Sequence, residues 1–164
     1  MRTAKYLPRP FISTAIFLGL IALPVAASAA SEAVLINPGS IKWGDAPPSL
    51  PKGAKLSVLH GDPSKGGPFC IRLMAPAGYK IPPHWHSQAE ALTVISGTFY
   101  LGMGDQMDAA AAQPLKAGGF HYLPPKEHHF AFSKAASVAQ LNGEGPFDIA
   151  YINAADDPQK AAKR

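Results

Sequence analysis

An all-β barrel or sandwich in a single domain is the fold this sequence predicts. Short runs of β-branched, aromatic and alternating residues follow one another along the chain, and 17 prolines and 15 glycines punctuate them. Short strands with such frequent turn residues suit a closed or two-layered sheet. No segment repeats another, so the chain holds one such unit and not a tandem pair.

The elements follow in order. Arg2, Lys5 and Arg9 precede an apolar run from Phe11 to Leu23, and Ala27-Ser28-Ala29 follows as a small-x-small cleavage site. A charged start, a short apolar centre and a small-residue exit make residues 1–29 a signal peptide. The 13-residue run is shorter than the roughly 20 residues of a membrane span. Cleavage, export to the periplasm or cell exterior, and no stable membrane anchor afterwards are therefore expected. No Arg-Arg pair marks twin-arginine export. Residues 30–153 form the domain, and the polar residues 154–164 are expected to be a flexible tail.

Within the domain, strands are expected near Val34–Ile36, Ile41–Trp43, Lys55–His60, Phe69–Ala75, His84–His86, Glu90–Ser96, Thr98–Met103, Phe120–Leu123, His129–Ser133, Ser137–Leu141 and Phe147–Ile152. Ser96-Gly97 reads as a tight hairpin turn, and Asp105 to Ala112 as a loop with one helical turn. Tyr100, Met103, Phe120, Tyr122, Phe130 and Phe132 read as core residues, a few of them lining a pocket. Cys70 is the single cysteine and makes no intrachain disulfide, so stability rests on the core and on a bound metal.

The chemistry concentrates in Gly78 to Gly97. Side chains two apart on a strand share a face, which puts His84 and His86 together, and a short turn brings Glu90 back beside them. Two imidazoles and a carboxylate converging on one point form a divalent-metal site. With 6 His, 15 Gly and 4 Glu in 164 residues, random placement gives this spacing template roughly 4 times in 100,000. His121 lies on a neighbouring strand whose inward face the pattern leaves open, and reads as a packed or exposed histidine and not a fifth ligand. His128 adjoins His129, and strand alternation lets only one of the pair point inward.

Gly78 to Gly97 resembles the first conserved motif of the cupin family, with every signature position filled. Gly118, Pro124 and His129 fall on the second motif, over residues 118–129; Lys126 stands where the family usually has a glycine, a residue that permits a positive-φ turn. The resemblance implies a cupin-type double-stranded β-helix, a jelly-roll barrel, over roughly residues 55 to 152. It implies His84, His86, Glu90 and His129 as ligands of one divalent metal ion: zinc, manganese, copper, nickel or iron. Export in an unfolded state favours zinc, manganese or copper. Four ligands leave two sites open on an octahedral ion and close a tetrahedral zinc; the sequence does not choose. Neutral histidines are required for binding, so occupancy is expected to fall in acid.

Without Arg2, Lys5 and Arg9, the 15 Lys+Arg fall to 12 against 11 Asp+Glu, and no basic patch argues for nucleic acid. There is no nucleophile motif, phosphate loop or dinucleotide fingerprint, so no catalytic residue is assigned, and catalysis would go through the metal. The expected partner is a small-molecule ligand or substrate. Three functions stay open: a metal-dependent enzyme on a small oxygen-rich molecule, dioxygenase-like or isomerase-like; a non-catalytic metal or small-ligand binding protein; and a barrel stapled by its metal. The edge strands of a small jelly roll predict a homodimer.

Overall fold

The computed structural model describes residues 33–161. The expected signal peptide lies outside them. The strands are β1 Gly44–Asp45, β2 Lys55–His60, β3 Gly67–Ala75, β4 Lys80–Trp85, β5 Glu90–Ser96, β6 Thr98–Met103, β7 Gln113–Lys116, β8 Phe120–Leu123, β9 His129–Ser133, β10 Ser137–Gly145 and β11 Ala150–Tyr151. They form two antiparallel sheets, one ordered β1-β2-β3-β10-β5-β8 and the other β11-β4-β9-β6-β7. This is the jelly roll expected from the sequence. Ile81, Leu92, Val94, Phe99 and Ala139 are buried and pack as its core.

Two local features set the inward faces. Gly97 turns the chain between β5 and β6 with φ +76°, and a Cβ there would lie 2.4 Å from Ser137 Oγ. The hairpin therefore needs glycine both for its backbone angle and for the close approach. On β4, Ile81 pairs with Ala131 and His84 with His129, three steps along one strand against two along the other. The extra residue is a β-bulge built on Pro82 and Pro83, residues that lack the N–H a regular ladder would use. It moves the phase of β4 by one, so that Ile81 and His84 are both buried.

Several expectations are corrected. Residues 34–36 and 41–43 form no strand. Leu35 is 90% exposed, and with no neighbouring strand to pair with, these runs have no ladder to join. The first instead leads into a 3₁₀ turn at Pro38–Ser40. The loop from Asp105 holds a single turn at residues 109–111, where one was expected, and no longer helix. Asp108 Oδ1 accepts from the Ala110 and Ala111 amides, the bonding pattern of an N-cap. The chain then enters β7, which pairs with β6. The last expected strand shortens to Ala150–Tyr151. Of the expected flexible tail, residues 154–161 carry a 3₁₀ turn and a short helix, Pro158–Ala161, capped by the Asn153 and Asp157 side chains. Phe130 and Phe132 are buried as expected, whereas Met103, Phe120 and Tyr122 are exposed. No helix of the described residues is long and apolar enough to cross a membrane.

Candidate metal centre

The two sheets contribute different halves of the site. His84 and His129 face each other across β4 and β9, with ring centroids 4.1 Å apart. His86 follows β4 in the turn that carries the chain to the other sheet. Glu90 opens β5 on that second sheet. All four side chains are buried. The ligand atoms of His84, His86 and His129 lie within 4.8 Å of one another, a cluster that could hold a metal ion.

The hydrogen bonds behind these rings fit a metal. His84 Nδ1 donates to the Pro82 carbonyl at 2.7 Å, and His129 Nδ1 donates to the Glu127 carbonyl at 2.9 Å. His86 Nδ1 donates to the Asp148 carbonyl. Three Nδ1 atoms anchored to backbone oxygens leave three Nε2 atoms as ligand nitrogens, and such anchors fix the ring orientation that a metal requires. Asp148 does more: its Oδ1 accepts from Ser87 N at 2.7 Å and Ser87 Oγ at 2.8 Å. The Phe147 ring stacks on His86 with centroids 4.4 Å apart. Residues 147–148 thus clamp the His86 turn, which explains why the final strand starts later than its sequence suggests.

Glu90 adjoins the three histidines, and both of its carboxylate oxygens meet imidazole nitrogens. Its Oε2 lies 2.9 Å from His86 Nε2, and its Oε1 lies 2.8 Å from His121 Nε2. His121 is therefore a packed histidine that holds the carboxylate. The register shows why: Glu90 pairs with Leu123 and Leu92 with His121, so His121 is the diagonal neighbour of Glu90 on the inner face. His121 Nδ1 is buried with no partner. His128 points outward to Asp105. Lys126, at φ 64°, is the non-glycine residue that adopts the left-handed turn of the second motif. Its amide donates to the His86 carbonyl at 2.8 Å, which ties the β8–β9 turn to the His86 turn.

Burial and charge act in opposite senses here. Burial, helped by the neighbouring His129 and His86, pushes His84 down to about 3, and burial also lowers His129. Burial would lower His86 too, but its bond to the Glu90 carboxylate outweighs this and raises it. Burial would raise Glu90, yet the bonds from His121 and His86 hold its carboxyl well below the usual range. The cluster thus presents neutral His84 and His129 and an ionised Glu90, the protonation states metal ligands need.

The histidines, Glu90 and His121 line a cavity of about 470 Å³ between the sheets, within the size range of small-molecule sites. The sequence did not reveal His121, Phe147 or Asp148 as parts of this centre.

The comparisons agree with the architecture. The family model of the cupin domain matches residues 71–139. Germin-like protein 8-6 of Oryza sativa subsp. japonica is 34% identical over 88 residues, 49% of this chain and 39% of that protein; the match spans well under half of that relative's length. Among solved structures, the polyketide cyclase RemF of Streptomyces resistomycificus has a TM-score of 0.62 at 14% identity, over 81% of this chain and 94% of that one. A candidate acetylacetone dioxygenase of Methylibium petroleiphilum has a TM-score of 0.60 at 18% identity, over 75% and 84%. An RmlC-like cupin of Shewanella frigidimarina has a TM-score of 0.53 at 17% identity, over 70% and 91%. Identities this low speak for the fold alone. The domain match over residues 71–139 and the two-sheet jelly roll, taken together, support a cupin-family protein.

Proposed function

We propose that the protein is an exported, metal-dependent enzyme acting on a small molecule bound between its two sheets, dioxygenase-like or isomerase-like in chemistry. The observation that carries this reading is the three-histidine cluster, each ring anchored through Nδ1, opening onto a cavity of about 470 Å³. A metal that served only as a staple would need no adjoining space. His84, His86 and His129 would hold the ion, with Glu90 as the fourth donor. A divalent ion bound there would polarise a ligand oxygen or activate a water. The protein's own part is to orient the imidazoles, to keep Glu90 ionised through His121 and His86, and to exclude bulk water with the apolar wall. The names of the structural relatives, a polyketide cyclase and a candidate acetylacetone dioxygenase, support an enzyme working on small molecules. Export and cleavage rest on the Arg2 to Ala29 pattern; an intact Met1 in secreted material would contradict the cleavage, and protein found only inside the cell would contradict the export.

The test is turnover. Protein loaded separately with zinc, manganese, copper, nickel and iron is offered diketones, catechols and hydroxyketones, and product formation and oxygen uptake are followed. Turnover that disappears in His84→Ala is expected. Stable metal and ligand binding with no turnover for any combination would make it a binding protein instead.

A further inference from the structure

The interior is polar at one end and hydrocarbon elsewhere. Across the six-stranded sheet Ile71, Leu141, Leu92 and His121 are successive cross-strand partners. One inner row therefore runs from aliphatic side chains to an imidazole at the β8 edge. Leu56 and Leu73, partners on β2 and β3, line the same cavity, as does Ile149. Among the described residues no lysine or arginine lines it. Few polar side chains line it away from the cluster: Ser49, Ser64, Tyr100, Asp148 and Gln159, all uncharged but Asp148, and two of these are committed. The Asp148 carboxylate accepts from Ser87, and the Ser64 hydroxyl donates to Asp62 at 2.6 Å.

This distribution selects among ligands. A sugar or sugar acid carries hydroxyls around its whole perimeter. Seated here, those remote from the histidines would leave water to face leucine and isoleucine, with no partner in exchange. A dicarboxylate or phosphate ester would bring a second charge to a wall that offers no cation to meet it. A hydrocarbon body fits that wall, and its burial contributes to binding. The only concentrated polarity is the His84, His86, Glu90, His121 and His129 end.

We infer that the ligand of this cavity is a molecule with its oxygens gathered at one end and an uncharged hydrocarbon body, and that sugars, sugar acids and dicarboxylates are excluded. The inference rests on the metal-site reading proposed above and narrows it: the molecule is oxygen-bearing at its head and not oxygen-rich throughout.

A matched pair of probes tests this. 4-tert-Butylcatechol and 3,4-dihydroxybenzoate share two adjacent hydroxyls and differ in the body, hydrocarbon in one and carboxylate in the other. Calorimetry on zinc-loaded protein under nitrogen, with zinc content determined in the same sample, is expected to show 4-tert-butylcatechol binding at least tenfold tighter. Leu141→Lys is expected to shrink that preference at least tenfold, and the wild-type comparison decides the question even if that variant fails to fold. Equal or tighter binding of 3,4-dihydroxybenzoate, or no binding of either at millimolar concentration, would overturn the inference while the zinc content leaves the metal site standing. Protein that takes up no zinc contradicts the metal-site reading instead. The same pair on that metal-free protein still shows whether the wall selects hydrocarbon.

Discussion

His121 Nε2 lies 2.8 Å from Glu90 Oε1 on the inner face of the barrel. The carboxylate is thereby shared between His121 and His86, and each partner fixes one of its oxygens. Removing His121 leaves a buried carboxylate oxygen without its donor. Partners of this kind typically carry 10- to 100-fold in metal affinity. His121→Phe is therefore expected to weaken metal binding by at least about tenfold, and His121→Gln, which keeps a donor, to recover part of the loss. Competition against a chelator of known affinity measures both. Unchanged affinity in His121→Phe would show that Glu90 needs no such support.

The role of His121 was hard to read from sequence for a definite reason. In Phe120-His121-Tyr122-Leu123 the two aromatic residues alternate with the histidine, and hydrophobic alternation would turn the aromatics inward. The fold does the reverse: Phe120 is 58% and Tyr122 60% exposed, while His121 and Leu123 face in. The strands Lys55–His60, Glu90–Ser96, Thr98–Met103, Phe120–Leu123 and His129–Ser133 were legible to the residue, because Gly, Pro and alternation mark them locally. The Pro82–Pro83 bulge, β7 and the Phe147–Asp148 clamp were not, since each is defined by its partner across a sheet or loop. The His84/His86 spacing was legible, though the bulge that turns the pair inward was not.

Lys126 holds φ 64° in the turn that leads to His129. A non-glycine residue in this region costs about 1–2 kcal/mol, and a glycine gives back about 0.4–1 kcal/mol through its freer unfolded chain. Lys126→Gly is therefore expected to stabilise the protein by roughly 0.5 kcal/mol, read as a higher urea midpoint with an unchanged slope. A lower midpoint would mean that the lysine side chain contributes more than its backbone costs.

Stability of chelator-treated protein should depend on pH in a signed way. His84, brought to about 3, and His129, also lowered, stay neutral in the fold while the unfolded chain takes up protons near 6.5. Their contribution is full above about 6.5 and is lost as pH falls toward the folded values. Glu90, also lowered from 4.5, acts in the same sense at more acid pH. The raised His86 works oppositely, contributing fully below about 6.5 and losing that contribution as pH rises through its folded value. Urea midpoints at pH 4.5, 6.5 and 8.5 should thus be highest at 6.5. A maximum at 4.5 would contradict the neutral state of His84 and His129.

The central claim is that His129, and not its neighbour, joins His84 and His86 around a metal. Elemental analysis of wild-type protein beside His129→Ala and His128→Ala tests it most directly. Wild type and His128→Ala are expected to carry about one equivalent of divalent metal, and His129→Ala to lose most of it, with a melting temperature close to that of chelator-treated wild type because a metal that binds only the folded chain stabilises it. Metal content that follows His128, or a wild-type protein that holds no divalent ion, would contradict the account.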